Sequence, residues 1–176
     1  MSEAVNWPVR FQEMVHFIGL TDEDRQLIKA SAPIIMRHAD RLTSAMYDHF
    51  LEYPQARKFF VDDHDEPDVK RIESNKQTMI SWLRATTTAA SNEGFVRYLV
   101  GTSQMHYNTP IHRPPLSPVA PRYILGAVAC YQTLIADLML QHVADAAQAL
   151  RSSVAWNKWL MIELELLLAS YLKHNE

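Results

Sequence analysis

Apolar residues recur at three- and four-residue intervals along most of this chain, and no run alternates apolar and polar positions between turns. One such stripe passes through Leu27, Ile28, Ile34, Ile35, Leu42, Met46 and Phe50. A second follows the acidic stretch 62–68 and passes through Ile72, Met79, Ile80 and Leu83. Because this spacing places side chains on one face of a helix, the pattern predicts an all-α chain.

Start and stop signals divide the chain into seven or so helices, some of them short. Thr21 and the acids that follow it are typical of a helix start. Pro33 kinks or divides the helix that contains it, and Pro54 opens a short segment that ends in Phe59-Phe60. The other predicted helices cover residues 8–17, 69–90, 93–107, 118 or 122 to 142, and 144–173. Unequal helices joined by one proline-rich loop fit a globin-like fold better than an even four-helix bundle.

Size, composition and charge exclude several classes of protein. At 176 residues the chain is one domain by size, so residues 1–176 are expected to form a single domain. A net charge of −3 leaves no basic surface for nucleic acid. The absence of a signal peptide pattern and of a long apolar run predicts a cytoplasmic protein without a membrane span. The single cysteine, Cys130, excludes an intramolecular disulfide and any CxxC metal site.

His106 lies near the end of the predicted helix 93–107, just before a stretch that is unable to continue as helix. Five of the chain's nine prolines follow it, at positions 110, 114, 115, 118 and 121. Proline fixes φ and lacks a backbone donor, so this loop ends the helix just past the histidine. A lone histidine at a helix end is most often a cap or a surface residue. The alternative is an axial ligand, since a haem iron needs one well-aimed imidazole nitrogen.

Tyr47 lies in the same helical stripe as Met46 and Phe50, so its hydroxyl must find a partner if it is buried. It is either a core tyrosine bonded to a carbonyl group or a donor to a bound ligand. A phenol donor stabilises dioxygen on ferrous iron, which carries partial negative charge, far more than carbon monoxide. Phe60 and Met79 are either ordinary core residues or an apolar lining that excludes water, and the Met79 sulfur is an alternative sixth ligand.

Several short segments, taken in order, carry a resemblance to a known family. They are residues 17–24, Met46-Tyr47 with Pro54 and Phe59-Phe60, then Trp82, and finally Val100-Gly101 with His106 and Arg122-Tyr123. As an ordered set covering about residues 11–172, they resemble the sensor globins, which are the haem domains of globin-coupled sensors, and their stand-alone relatives, the protoglobins.

The chain departs from the family pattern around the histidine. The family places its histidine three residues after a glycine, which here would fall on Gln104 instead of His106. Either Ser103 takes the place of the glycine, or the helix is shifted in register. His112, within the proline-rich loop, is then a rival ligand, although its neighbouring prolines prevent a helix from aiming it.

The resemblance implies a globin-like fold with an extra N-terminal helix, a long proline-rich loop after the proximal-histidine helix, and bound haem b. His106 is then the proximal iron ligand and Tyr47 the distal donor. Further cofactor-binding positions are expected at Phe60, Met79, Trp82 and Tyr123. The expected function is reversible binding of O2, CO or NO as a gas or redox sensor.

Three alternatives to a stand-alone sensor stay open. The chain can be the N-terminal sensor domain of a longer histidine kinase, diguanylate cyclase or chemotaxis transducer. It can be a haem-free interaction module of globin shape, which would need no axial histidine. It can also be an enzyme with peroxidase-like or nitric oxide dioxygenase chemistry. The sequence lacks a catalytic constellation, a reductase segment and a distal acid–base pair, so we expect no enzymatic activity of the chain itself.

The last helix is apolar over a wide arc. Its apolar residues are Trp156, Trp159, Leu160, Ile162, Leu164 and Leu166-Leu167-Leu168. An arc wider than one buried face predicts a homodimer through the helices 122–142 and 144–173, as in the sensor globins. Glu163 and Glu165 interrupt this helix, and we interpret them as an exposed or interfacial edge and not as an acid pair.

Overall fold

The computed structural model describes residues 5–108 and 118–172, and most of these residues are helical. The helices are α1 (Trp7–Ile18), α2 (Asp22–Arg37), α3 (Ala39–Glu52), α4 (Pro54–Arg57), α5 (Val69–Thr86), α6 (Glu93–Tyr107), α7 (Pro121–His142), α8 (Ala146–Leu167) and α9 (Ala169–Leu172). In the described part of the chain, β-type pairing is limited to an isolated bridge between Val61 and Pro67. The prediction of an all-α chain is confirmed.

Side-chain caps fix where most of the long helices begin. Thr21 Oγ1 accepts from the Asp24 backbone N–H at 3.1 Å, and the Asp24 carboxylate accepts from the Thr21 backbone N–H at 2.8 Å. This capping box satisfies two of the donors that a helix start leaves unpaired. Asn92 caps α6 by accepting from the Phe95 N–H at 2.9 Å. The other side-chain caps are Asn6, Asp68 and Asp145.

Two predicted long helices are each divided in the structure, the first at another position than predicted and the second where no division was predicted. α2 continues through Pro33, and the chain changes direction five residues later, at His38. The proline deprives the Lys29 carbonyl of its helical partner, but both residues are exposed, so water can satisfy that carbonyl. The predicted helix 144–173 ends earlier, since Leu168 separates α8 from the short α9.

α5 ends at Thr86, four residues before the predicted boundary at residue 90. Thr87 and Thr88 donate their hydroxyls to backbone carbonyls of the preceding turn, each at 2.7 Å. Ala89 then has a φ of 47°, which takes the chain out of the right-handed helix. The short connection to α6 is therefore set by local hydroxyl bonds and one left-handed residue.

α8 lies in the middle of the fold, in contact with α1, α2, α6 and α7. The side chains of this helix that are at most 1% exposed include Trp156, Trp159, Leu160, Ile162 and Leu166. The Trp156 indole N–H also donates to Ser31 Oγ of α2 at 2.8 Å. The wide apolar arc of the last helix is thus largely buried within one chain, and our reason for predicting a dimer from these residues is wrong.

α5 and α6 follow one another in the chain but do not pack along each other. α5 lies against α2 and α3, whereas α6 lies against α1, α8 and α9. Met79 and Trp82 belong to the first of these groups and His106 to the second. Met79 and His106 therefore lie on helices with different packing partners.

α7 is long and apolar enough to span a membrane, judged by length and composition. This differs from our prediction that no segment has this character. In this protein 33% of its most apolar window is buried, while Leu125 and Leu140 are exposed. One such helix is weak grounds for a membrane location, because a core helix of a globular protein passes the same test.

Candidate functional site

The His106 imidazole is held by its own helix. Its Nδ1 lies 2.9 Å from the carbonyl oxygen of Thr102, one turn earlier in α6. A carbonyl only accepts hydrogen bonds, so Nδ1 carries the proton and Nε2 keeps its lone pair. Burial lowers the pKa of His106, which keeps the ring neutral near pH 7. The result is one half-buried imidazole whose tautomer suits metal binding through Nε2.

The backbone at His106 is tied to the far side of the proline-rich loop. The Val119 N–H donates to the His106 carbonyl at 3.0 Å, and the Val119 carbonyl accepts from the Tyr171 hydroxyl at 2.6 Å. Two hydrogen bonds therefore link the histidine to α9 through a single residue of the loop. His112, the rival ligand, lies outside the described residues.

The environment of α6 favours Ser103 as the residue that takes the place of the family's glycine. Ser103 is fully buried three residues before His106, and its Oγ accepts from the Ser170 N–H of α9 at 2.9 Å. A Cβ added to Gly101 would meet nothing within 4 Å, so close packing does not require glycine there. Gln104, where the glycine spacing would put a ligand, is exposed.

Tyr47 lies in an aromatic cluster formed by α3 and the segment after α4. Its ring, 4% exposed, meets Phe50 edge-on at 5.7 Å between centroids and Phe60 at 5.3 Å. Phe50 and Phe60 in turn stack at 5.5 Å. Burial strongly raises the pKa of the Tyr47 hydroxyl, so it remains a protonated donor at physiological pH. The structure therefore brings together Tyr47 and Phe60, two of the predicted site residues.

The partner of the Tyr47 hydroxyl is Asn75, a residue that our sequence reasoning missed. The Asn75 side chain hydrogen-bonds this hydroxyl from α5. Met79 follows Asn75 by four residues, so the two lie on the same face of that helix. The spacing Ile72, Asn75, Met79 was a possible signal, because it places a polar residue within an apolar stripe.

Tyr131 of α7 joins the cluster and was also missed. Its hydroxyl donates to the Met79 sulfur at 3.7 Å, and its ring meets Trp82 edge-on at 5.1 Å. Burial, and to a lesser degree the neighbouring Tyr47, raise the pKa of the Tyr131 hydroxyl. Two phenols thus approach the Met79 region, one from α3 and one from α7. No pattern along the sequence relates residues so far apart.

Glu163 is buried, contrary to our interpretation of it as an exposed edge. It is 0% exposed, and its Oε2 accepts from Trp82 Nε1 at 2.8 Å and from Thr86 Oγ1 at 3.1 Å. Burial raises its pKa to about 8. Glu165 is mostly buried as well and forms a close ion pair with Arg10 of α1. The interpretation was wrong because α8 is packed on several sides and exposes no face at Glu163.

Tyr123 lies in the first turn of α7, half-buried, with the Arg122 guanidinium 5.0 Å from its ring centroid. Among the described residues, no hydrogen bond or ring contact joins Tyr123 to His106. A cavity of about 350 Å³ near the connection between α5 and α6 contains none of the predicted site residues; it is lined by Ser81, Ala85, Thr88, Ala90, Asn92, Phe95 and Tyr98.

The donor set fits a haem. One neutral imidazole offers Nε2, while a separate apolar cluster around Tyr47 and Phe60 contains phenol hydroxyls and no charged side chain among the contacts described above. Helices in this order, with a single histidine at the end of α6 and an aromatic cluster reached from α3, α5 and α7, are those of a globin.

Comparison with known proteins identifies the kind of globin. The sequence model of the Protoglobin family matches residues 8–176, and the chain belongs to this family. The globin domain of a Geobacter sulfurreducens globin-coupled sensor is 21% identical with a TM-score of 0.73, over 91% of this chain and 96% of that one. The ferrous globin domain of E. coli DosC is 14% identical with a TM-score of 0.67, over 94% and 99%. A comparison with curated proteins finds no match.

Proposed function

We propose that this protein binds haem b through His106 Nε2 and reversibly binds a diatomic gas, O2, CO or NO, as a gas or redox sensor. The observation that carries the proposal is the hydrogen bond from Nδ1 to the Thr102 carbonyl at 2.9 Å. This bond fixes the ring and leaves one nitrogen for the iron. A histidine that only caps a helix or lies on the surface needs no such fixed ring.

The haem iron supplies the binding site for the gas, and the protein supplies the surroundings. The rings of Phe50 and Phe60 keep water away from the Tyr47 hydroxyl. The Asn75 side chain hydrogen-bonds the oxygen of this hydroxyl and lowers its pKa, so we propose that the O–H is left to donate to a bound ligand. A phenol in such an apolar setting favours a ligand with negative charge on oxygen, because the hydrogen bond is stronger in a medium of low dielectric constant.

The sensor role rests on the likeness to globin domains of sensors. One of the similar structures is by description the globin domain of a globin-coupled sensor. On the same grounds the chain is proposed to act by binding and not by catalysis, in the cytoplasm. The alternative is that it is the sensing part of a longer signalling protein, and it would use the same site.

Absorption spectra of the purified protein in the ferric, ferrous and ferrous-CO states test the proposal. We expect a Soret band that shifts on reduction and again with CO, and a ferrous-O2 spectrum that reverts when O2 is removed. A protein that stays colourless after addition of haem would instead be a haem-free interaction module.

We further propose that the protein forms a homodimer through α7 and α8. The proposal does not rest on the apolar arc of α8, which is buried, but on apolar side chains that remain exposed. Both helices retain exposed apolar side chains separated by four, seven or eleven residues, which is the spacing of one helix face. They are Leu125, Ala129 and Leu140 on α7, and Leu150, Val154 and Met161 on α8. α7 and α8 pack on each other, and we propose that these two stripes form one surface.

Sedimentation at micromolar concentration tests the dimer. The wild-type protein should have a dimeric mass, and Val154→Glu should be monomeric because a charge would be buried against the partner. Val69→Glu is the matched control: Val69 is 75% exposed at the start of α5, far from this surface in the chain. A monomeric wild-type protein, or a dimer that tolerates Val154→Glu, would contradict the proposal.

A further inference from the structure

We propose that Glu163 is a positioning residue for the distal side of the haem site. Its carboxyl group anchors Trp82 and Thr86 of α5 to α8, and it exchanges a proton when a bound gas alters that contact. This inference rests on the proposed function and goes beyond it, because it assigns a role to a buried acid that neither gas binding nor haem binding requires.

Glu163 contacts Trp82, and Trp82 in turn contacts the distal residue Tyr131. Trp82 donates its indole N–H to Oε2 at 2.8 Å, and the same indole meets the Tyr131 ring at 5.1 Å. Tyr131 donates to Met79, which lies one turn before Trp82 on α5. A shift of α5 that accommodates a ligand beside Met79 therefore reaches Oε2 through one side chain.

The two carboxyl oxygens differ. Oε2 accepts two hydrogen bonds, whereas Oε1 is buried without a hydrogen-bond partner among the described residues. Because Oε2 already accepts two hydrogen bonds, Oε1 is the oxygen that would carry the proton of the neutral acid. The Trp159 indole N–H, one turn earlier on α8, is likewise buried and unpartnered, and it lies near enough to favour the ionised form. Ionisation thus depends on donors from α5 and α8 together.

Few charged or titratable groups face Glu163 from the helices around it. α6 contributes Tyr98, whose pKa is raised by its burial and to a smaller extent by the Glu163 charge. α2 contributes Arg25, whose guanidinium lies 5.4 Å from the centroid of the Trp159 ring. On α8 itself, Glu165 is already paired with Arg10 of α1. No described cation forms an ion pair with Glu163, so its proton is the main means of removing its charge.

Burial raises the pKa of Glu163 to about 8, so the neutral acid predominates at pH 7. Its donors to Oε2 favour the ionised form, and a ligand that displaces Trp82 would weaken this preference. By thermodynamic linkage, the two affinities are coupled. If ligand binding changes the proton affinity of Glu163 by some factor, the affinity for the ligand must change by the same factor between the protonated and the ionised form.

The test compares haem-loaded wild-type protein with Glu163→Gln and Thr86→Val, using CO as the probe. The glutamine keeps an acceptor oxygen for Trp82 but has no titration, while the valine removes one donor to the carboxylate. In the wild type, CO affinity should change about fivefold or more between roughly pH 6 and 10. In Glu163→Gln it should be flat, and in Thr86→Val the midpoint of the change should move to higher pH.

Infrared difference spectra on CO photolysis give a second readout that a merely structural role would not move. The wild type should show a change in the band of a protonated carboxyl group, and this band should be missing in Glu163→Gln. Identical pH profiles in the wild type and Glu163→Gln, or no carboxyl band change, would overturn the proposal. Failure of the wild type to form a CO complex would instead overturn the proposed function itself.

Discussion

His106 is positioned by its own helix, whereas Tyr47 is positioned by side chains that come from distant parts of the chain. The His106 ring bonds a carbonyl four residues earlier in α6. Tyr47 on α3 meets Phe60, hydrogen-bonds Asn75 of α5 and lies near Tyr131 of α7. The first arrangement needs one helix and its cap, and the second needs the packing of three helices.

This difference predicts different responses to substitution on the two sides. A single ligand supplied by one helix has no substitute, so its loss should abolish binding. A hydroxyl within a group of polar and aromatic side chains shares its effect with its neighbours, so changes there should be graded and non-additive.

His106→Ala should lose most bound haem, because no other described side chain is held in the same way for the iron. The Soret absorbance of the purified variant should fall to a small fraction of that of the wild type, and added imidazole should restore part of it. His16→Ala, at an exposed position on α1, is the matched control and should retain the wild-type spectrum.

His112→Ala decides between the two candidate ligands. It should change the spectrum little if His106 binds the iron. Retention of haem in His106→Ala together with its loss in His112→Ala would reverse the assignment, and it would show that the proximal side does not depend on the helix end at His106.

Tyr47→Phe should accelerate O2 release by roughly 10- to 150-fold. The variant removes one charge-assisted hydrogen bond of about 1.5–3 kcal/mol, and about 1.4 kcal/mol corresponds to a factor of ten. CO release should change far less, because bound CO is a poor acceptor. Stopped-flow measurements of both gases on both proteins check this. Autoxidation should also become faster.

A small effect would indicate that Tyr47 is only a core residue. O2 release within about twofold of the wild type, combined with a lower thermal stability, would mean that the hydroxyl stabilises the fold and does not donate to the bound ligand. The distal side would then owe its selectivity to another donor.

The contrast also explains how much of the site could be predicted from the sequence. The helix bearing His106 was predicted with the observed bounds, Glu93–Tyr107, because it is a mostly apolar run and prolines follow its end. The structure adds the cap at its start, Asn92. The pairing of Tyr47 with Phe60 was expected from the family resemblance. The partners Asn75, Tyr131 and Glu163 were not, because their contacts join residues 28 to 81 positions apart.

Contacts between distant residues also explain why we misjudged which residues of α8 are exposed. Periodicity shows which faces of a helix are apolar, but it does not show how many neighbours the helix has. α8 is enclosed by α1, α2, α6 and α7, so a helix with apolar residues on several sides became a core helix and not a dimer interface at those positions. The same enclosure buried Glu163.

Tyr131→Phe should have a smaller effect than His106→Ala or Tyr47→Phe. Its hydroxyl donates to a thioether, a weak acceptor, so about 0.5–1.5 kcal/mol is lost at most, or roughly two- to tenfold in O2 release. Tyr53→Phe is the matched control, because Tyr53 is 53% exposed and should leave O2 release unchanged.

The double variant Tyr47→Phe/Tyr131→Phe tests whether the two phenols act together. If Tyr131 helps to hold the distal cluster in place, the double variant should release O2 more slowly than the product of the two single effects predicts, because removal of Tyr47 already forfeits part of what Tyr131 supports. Stopped-flow O2 release from the four proteins of this cycle measures the coupling. Strictly multiplicative effects would mean that the distal residues act independently, as the single ligand on the proximal side does.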